Sequence, residues 1–131
     1  MKFSEYLTEA TKINWKDRTN VPFYDDVITN ASYMKRAKGI EGKIVNMTPD
    51  EYINAAIKVL DAPRDRVLKG REGTPTVEKL EKLMRDGKPF DLPYLNYSKV
   101  YSGQQEGLHR ALAARNIDPK GKIPVLVVVN V

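Results

Sequence analysis

The sequence predicts an α+β domain, a small mixed β-sheet flanked by helices. Three observations carry this. The run Ile123-Pro124-Val125-Leu126-Val127-Val128-Val129 is apolar without alternation, the pattern of a strand covered on both faces. Two pairs, Thr48-Pro49 and Thr74-Pro75, each precede apolar residues at helical spacing, so each reads as an N-cap with proline at N1. Between these helices and the terminal strand lie further short strand signals, which a mixed sheet accommodates.

The elements follow in order. Residues 1–12 read as an amphipathic helix, with Phe3, Tyr6, Leu7 and Ala10 at helical spacing. Residues 13–23 lose that pattern, and Asn14, Asn20 and Pro22 suggest an extended linker around Trp15. A helix over 25–38 ends at Gly39, where a left-handed C-cap fits. Ile40 to Met47 reads as a strand. Thr48 then caps a helix, Glu51 completes a capping box, and Tyr52, Ile53, Ala56, Ile57 and Leu60 share one side. Asp61-Ala62-Pro63-Arg64-Asp65-Arg66 reads as the stop of that helix, and 67–73 as a loop.

From Thr74-Pro75 a second helix places Val77, Leu80, Leu83 and Met84 on one side and closes at Gly87. Leu92-Pro93-Tyr94-Leu95-Asn96-Tyr97 reads as a strand, with Pro93 marking its start or an edge position. A stretch with Ser102 and Gly103 leads to a helix over 106–116. The strand 123–129 closes the chain's pattern as the central strand. The organisation implied is an N-terminal helix or propeptide at 1–12, a linker and helix at 13–39, and a domain at 40–131.

Composition narrows the chemistry. The chain has 131 residues, 41% hydrophobic and 30% charged, which suits one globular domain with a modest core. No apolar run has the length of a membrane span, and Met1-Lys2-Phe3-Ser4-Glu5-Tyr6 lacks the apolar stretch of a secretory signal. The absence of cysteine excludes disulfides, thiolate zinc sites and cysteine nucleophiles. A single histidine excludes a His-rich metal site, and no Asp/Glu cluster at ligand spacing calls for a metal. The net charge of +5 favours a nucleotide or nucleic-acid partner, but the charges are spread, so a solvated basic surface is the plainer reading.

The reactive groups converge on Glu106-Gly107-Leu108-His109-Arg110. A glycine opens a helix, and the chain's histidine stands beside an arginine in its first turn. A helix start carries free N–H groups and partial positive charge, which suit a phosphate or another anion. Glu106, His109 and Arg110 are therefore the candidate catalytic residues. Plainer readings stay open: Glu106 as a partner of the helix dipole, His109 as a satisfied histidine, Arg115 as cover for the helix flank. Tyr94, Tyr97 and Tyr101 either stack on a base or pack in the sheet.

With the Ala-rich helix after it and Ile123-Pro124-Val125 beyond, Gly107-Leu108-His109-Arg110 resembles the Gly-x-His-Arg turn of the ParB/sulfiredoxin-like superfamily. Leu80 to Pro89 is similar to the helix-Gly-x-Pro segment of that family, and Ile44 to Tyr52 to its strand-to-helix opening. The resemblance covers residues 40–131. It implies a phosphate held at the helix start, with Gly107 admitting it, Arg110 neutralising it, and His109 donating a hydrogen bond or moving a proton. Ser102 and Gly103 would belong to the same phosphate turn, and Arg64 would reach it from the loop after the first helix. A nucleotide with magnesium is the implied cofactor, and nuclease or phosphotransferase chemistry the implied activity. Leu108 stands where sulfiredoxins need a cysteine, so that activity is excluded. The partition-protein branch is in doubt, because its Gly-Glu-Arg-Arg is absent and no helix-turn-helix domain follows.

At the other end, Leu7-Thr8-Glu9-Ala10 resembles sites cut by the prohead protease of T-even-type phages. This implies a phage-encoded chain trimmed between Glu9 and Ala10, in the host cytoplasm or packaged in the virion. The rival for 1–12 is a docking helix that stays on the chain. Two functions are therefore expected: a phosphate-binding protein acting on nucleotide or nucleic acid, or a non-enzymatic internal virion protein that binds a host or phage target. Plain DNA binding is the third and weakest. No membrane role is expected.

Overall fold

The computed structural model describes residues 12–18, 40–97 and 105–130. In chain order it contains β1 (Lys12–Ile13), a 3-10 turn at Trp15–Asp17, β2 (Ile40–Met47), α1 (Pro49–Leu60), α2 (Arg64–Lys69), α3 (Pro75–Arg85), β3 (Phe90–Asp91), β4 (Tyr94–Asn96), β5 (Gln105–Glu106), α4 (Leu108–Ile117) and β6 (Ile123–Asn130). This is an α+β fold, as the sequence predicts. The expected helices over 1–12 and 25–38, apart from the end of the first, lie outside the described residues.

The main sheet is four-stranded and mixed, in the order β2-β6-β4-β5. β6 pairs antiparallel with β2 along its whole length, from Ile40↔Asn130 to Met47↔Ile123. It pairs parallel with β4, and β4 pairs antiparallel with β5. β6 is thus internal, and Val125 to Val128 are all buried, which is why its apolar run does not alternate.

The helix starts follow from their caps. At α1, Glu51 N–H donates to Thr48 Oγ1 at 3.2 Å and Thr48 N–H donates to Glu51 Oε1 at 3.0 Å, the complete capping box. Those hydrogen bonds hold the Glu51 carboxyl below the usual range. α1 buries Tyr52, Ile53 and Ala56. At α3, Thr74 accepts from Val77 N–H, and Val77 and Met84 are buried. Gly87, at φ 73°, closes that helix as expected.

Four details differ from the sequence expectation. Arg64–Lys69 is a helix rather than a stop and loop; Pro63 leads into it and Val67 and Leu68 are buried. Its six residues carry too little periodicity to be read from sequence. Of the strand expected over 92–97 only Tyr94–Asn96 forms one, while Phe90–Asp91 before it pairs in a separate sheet with β1; Pro93 between them has no N–H, though its carbonyl accepts from Leu126 N–H at 2.9 Å. β4 therefore starts after Pro93, one of the two readings expected for that proline, and is internal, which removes the edge reading. The last helix begins at Leu108, and Glu106 belongs to β5.

Residues 13–18, read as linker, are instead tied to the rest, and Lys12, expected at the end of the first helix, lies in β1. β1 pairs with β3, and Ile13 and Trp15 join the same buried core as α1, α4 and β6. The Arg18 guanidinium lies 4.0 Å from the Trp15 ring centroid and 3.1 Å from Asp118 Oδ2. Its Nε donates to the Lys122 carbonyl at 3.1 Å, so one side chain clasps this segment to the α4–β6 turn.

Candidate functional site

The site grows from the junction of β5 and α4. Pairing of Glu106 with Tyr94 fixes the end of β5. One residue later the chain must turn into α4, and Gly107 does so at φ 143°. A Cβ there would stand 2.6 Å from Pro93 Cβ and 3.0 Å from the Tyr52 hydroxyl. The glycine is thus required by close protein packing and by its backbone angle. As N-cap it supplies no side chain to the first turn of α4.

α4 is held firmly. Leu108, Ala111, Leu112, Ala113 and Ala114 are buried, and the helix packs on α1 and α3. Its alanines keep those contacts close, so the helix is apolar nearly all round and only its ends carry polar groups. Below it, the Tyr52 hydroxyl lies 3.1 Å from the Tyr94 carbonyl and 3.0 Å from Gln105 Oε1, sharing its proton between two acceptors. Burial pushes the Tyr52 phenol far up, and burial with the Glu106 charge pushes Tyr94 up as well.

At the open end of α4 lies a half-open cavity of about 330 Å³. Glu106, Gly107, His109 and Arg110 line one side; Thr76, Lys79, Leu80 and Leu83 of α3 line the other. Arg110 is already engaged. Its Nη2 is 3.1 Å from Glu106 Oε1 and 3.8 Å from Asp91 Oδ2. His109 is held below its ordinary value of 6.5, first by partial burial and then by the Arg71 and Arg110 charges. Its imidazole is therefore neutral at pH 7, able to donate at one nitrogen and accept at the other.

Of the residues singled out by sequence, the structure brings Glu106, Gly107, His109 and Arg110 together. Arg64 does not line the cavity; its guanidinium donates to Asn54 Oδ1 at 2.5 Å. Ser102, Gly103, Tyr101, Glu9 and Ala10 lie outside the described residues. Tyr94 is buried in the sheet, whereas Tyr97 is 46% exposed. Arg115 bridges Glu72 at 3.2 Å and Asp50 at 3.7 Å, away from this cavity. Thr76 and Lys79 were missed from sequence. Their signal was present: Thr76, Lys79, Leu80 and Leu83 fall at i, i+3, i+4 and i+7, one face of a helix.

Among the described residues no group of three His, Asp or Glu could hold a metal ion. The acids nearest Arg110 are Glu106 and Asp91, and both face its guanidinium, so they do not form a ready carboxylate cage for magnesium. Also among the described residues, no helix is long and apolar enough to cross a membrane.

What the fold and site define is an α+β domain with a largely apolar cavity, edged by charged side chains, at a glycine-opened helix. Comparison with protein-family models, curated proteins and solved structures finds no match.

Proposed function

We propose that this chain is a phage-encoded ParB/sulfiredoxin-like domain that binds the phosphate of a nucleotide or nucleic acid at the start of α4, and cleaves its ester or anhydride bond, water or an acceptor hydroxyl forming the new P–O bond as the leaving oxygen departs and takes a proton. One observation carries the proposal: Gly107, His109 and Arg110 meet at an N-terminus opening into a cavity of about 330 Å³. That volume is within the range of small-ligand sites. In this role the helix start stabilises charge on phosphorus. Neutral His109 accepts or donates the proton, with Glu106 as its alternate. Magnesium, where a nucleotide brings it, supplies charge neutralisation on the phosphates.

The test is thermal stabilisation by a panel of phosphate ligands, with and without magnesium, followed by nuclease and phosphotransfer assays. Ligand-dependent stabilisation that His109→Ala weakens is the expected result. No shift with any phosphate ligand would remove the proposal.

A second function is favoured by a different observation. Arg110 is compensated within the chain by Glu106 and Asp91, as in a structural clasp. The same fold would then serve as a scaffold for a packaged virion protein that binds a host or phage protein. Mass spectrometry of virion protein tests its packaging: a chain beginning at Ala10 supports it, and an intact Met1-to-Ala10 segment opposes trimming.

A further inference from the structure

The cations around the cavity are not equivalent. Arg110 faces two carboxylates, Glu106 and Asp91, which already take up its charge. Moving Arg110 onto a ligand would break both ion pairs. Arg71, whose charge reaches His109, donates to the Val67 carbonyl and does not line the cavity. Lys79 lines it, is exposed, and has no ion-pair partner among the described residues. It can meet an anion without giving anything up.

The rest of the α3 face adds shape. Lys79 shares its strip with Thr76, one turn before it, and with Leu80 and Leu83, which are only half-buried. A hydroxyl, an ammonium and two leucines thus face the neutral His109 imidazole. The volume of about 330 Å³ sits at the lower end of small-ligand cavities, which run from about 300 to 1,000 Å³. That combination suits a small molecule with one anionic end and one apolar part.

We infer that Lys79, rather than Arg110, is the cation that meets the bound phosphoryl group, and that the ligand is a small phosphomonoester whose organic part rests on Leu80 and Leu83. The inference rests on the reading of this cavity as a phosphate site. Arg110 then acts as a positioning residue that holds β5, α4 and β3 in register around the cavity.

The test is calorimetric titration of the full chain with AMP, inorganic phosphate and a short single-stranded oligonucleotide. Wild type should bind AMP more tightly than inorganic phosphate and more tightly than the oligonucleotide. Lys79→Gln should weaken AMP binding about tenfold or more, and Lys79→Arg should retain it. Lys79 is exposed on α3, so both variants should fold as wild type does. AMP binding by wild type that is unchanged in Lys79→Gln overturns the assignment of Lys79 and leaves the phosphate site standing. Equal affinity for AMP and phosphate overturns the apolar contact, and tighter binding of the oligonucleotide overturns the small-ligand class. No binding of any probe to wild type overturns both this inference and the phosphate reading.

Discussion

Arg110 Nη2 lies 3.1 Å from Glu106 Oε1, so one ion pair spans the turn where β5 becomes α4. The same nitrogen is 3.8 Å from Asp91 Oδ2 in β3, which brings a third element into the contact. The arginine side chain is only 15% exposed, whereas Glu106 is 45% exposed. This asymmetry decides which partner matters more for folding. Loss of a mostly buried guanidinium takes a partner from two carboxylates at once, while loss of a half-exposed carboxylate leaves Arg110 with Asp91.

Arg110→Gln should therefore destabilise the fold by about 1–2 kcal/mol, and Glu106→Gln by only about 0.5 kcal/mol. A double-mutant cycle in chemical denaturation should give a coupling of about 0.5–1 kcal/mol that shrinks with added salt. A coupling near zero at low salt would mean that the pair does not hold the turn.

Gly107→Ala meets two penalties at once. The backbone stands at φ 143°, and the new Cβ would press on Pro93 at 2.6 Å and on the Tyr52 hydroxyl at 3.0 Å. Pro93 cannot yield readily, since its carbonyl is bonded to Leu126 in the central strand. The expected loss is about 2–4 kcal/mol, against about 1 kcal/mol for Gly73→Ala, where φ is 65° and no atom lies within 4 Å. Thermal unfolding of the two variants side by side checks this, and equal losses would count against the Pro93 contact.

What was legible in the sequence was whatever local chemistry dictates. Thr48-Pro49 and Thr74-Pro75 announced α1 and α3 because a cap and an N1 proline act within one turn. The run from Ile123 announced a central strand because burial on both faces erases alternation. The importance of Gly107 is visible in the sequence, but the packing of Pro93 and Tyr52 against it is not. That contact joins residues far apart in sequence, and nothing local encodes it. The engagement of Arg110 by Asp91 was hidden for the same reason, as was the convergence of Lys79 with His109. Trp15 looked like a linker residue because its partners, Arg18 apart, come from distant elements.

Tyr52→Phe isolates the buried hydroxyl under α4. The substitution leaves the ring in place and removes the donor to the Tyr94 carbonyl and Gln105. A cost of about 1–2 kcal/mol is expected in denaturant unfolding. The phenol is raised above its ordinary value of 10.0. Its contribution is therefore fully present below pH 10 and is lost as pH rises toward the folded value. Wild type should lose stability in alkali more steeply than Tyr52→Phe; identical alkaline profiles would refute the buried phenol.

His109 gives the sharpest pH test, because it is the chain's one histidine and its ring protons can be followed by NMR without assignment. Its folded value lies below 6.5, by burial first and by the Arg71 and Arg110 charges second. The folded state therefore prefers the neutral ring. The sign follows: the unfolded chain takes up this proton first as pH falls, so the contribution present above pH 6.5 is lost as pH drops through the folded value. The ring should titrate with a midpoint below 6.5, and Arg71→Gln should move that midpoint upward. Added salt should move it the same way but not restore 6.5, since screening weakens the charge effect and leaves burial untouched. His109→Gln should remove this part of the acid sensitivity from the stability profile. A midpoint at or above 6.5 would mean that His109 is solvated or faces a carboxylate, and it would then be mostly charged at pH 6, unable to accept the proton that the proposed chemistry assigns to it.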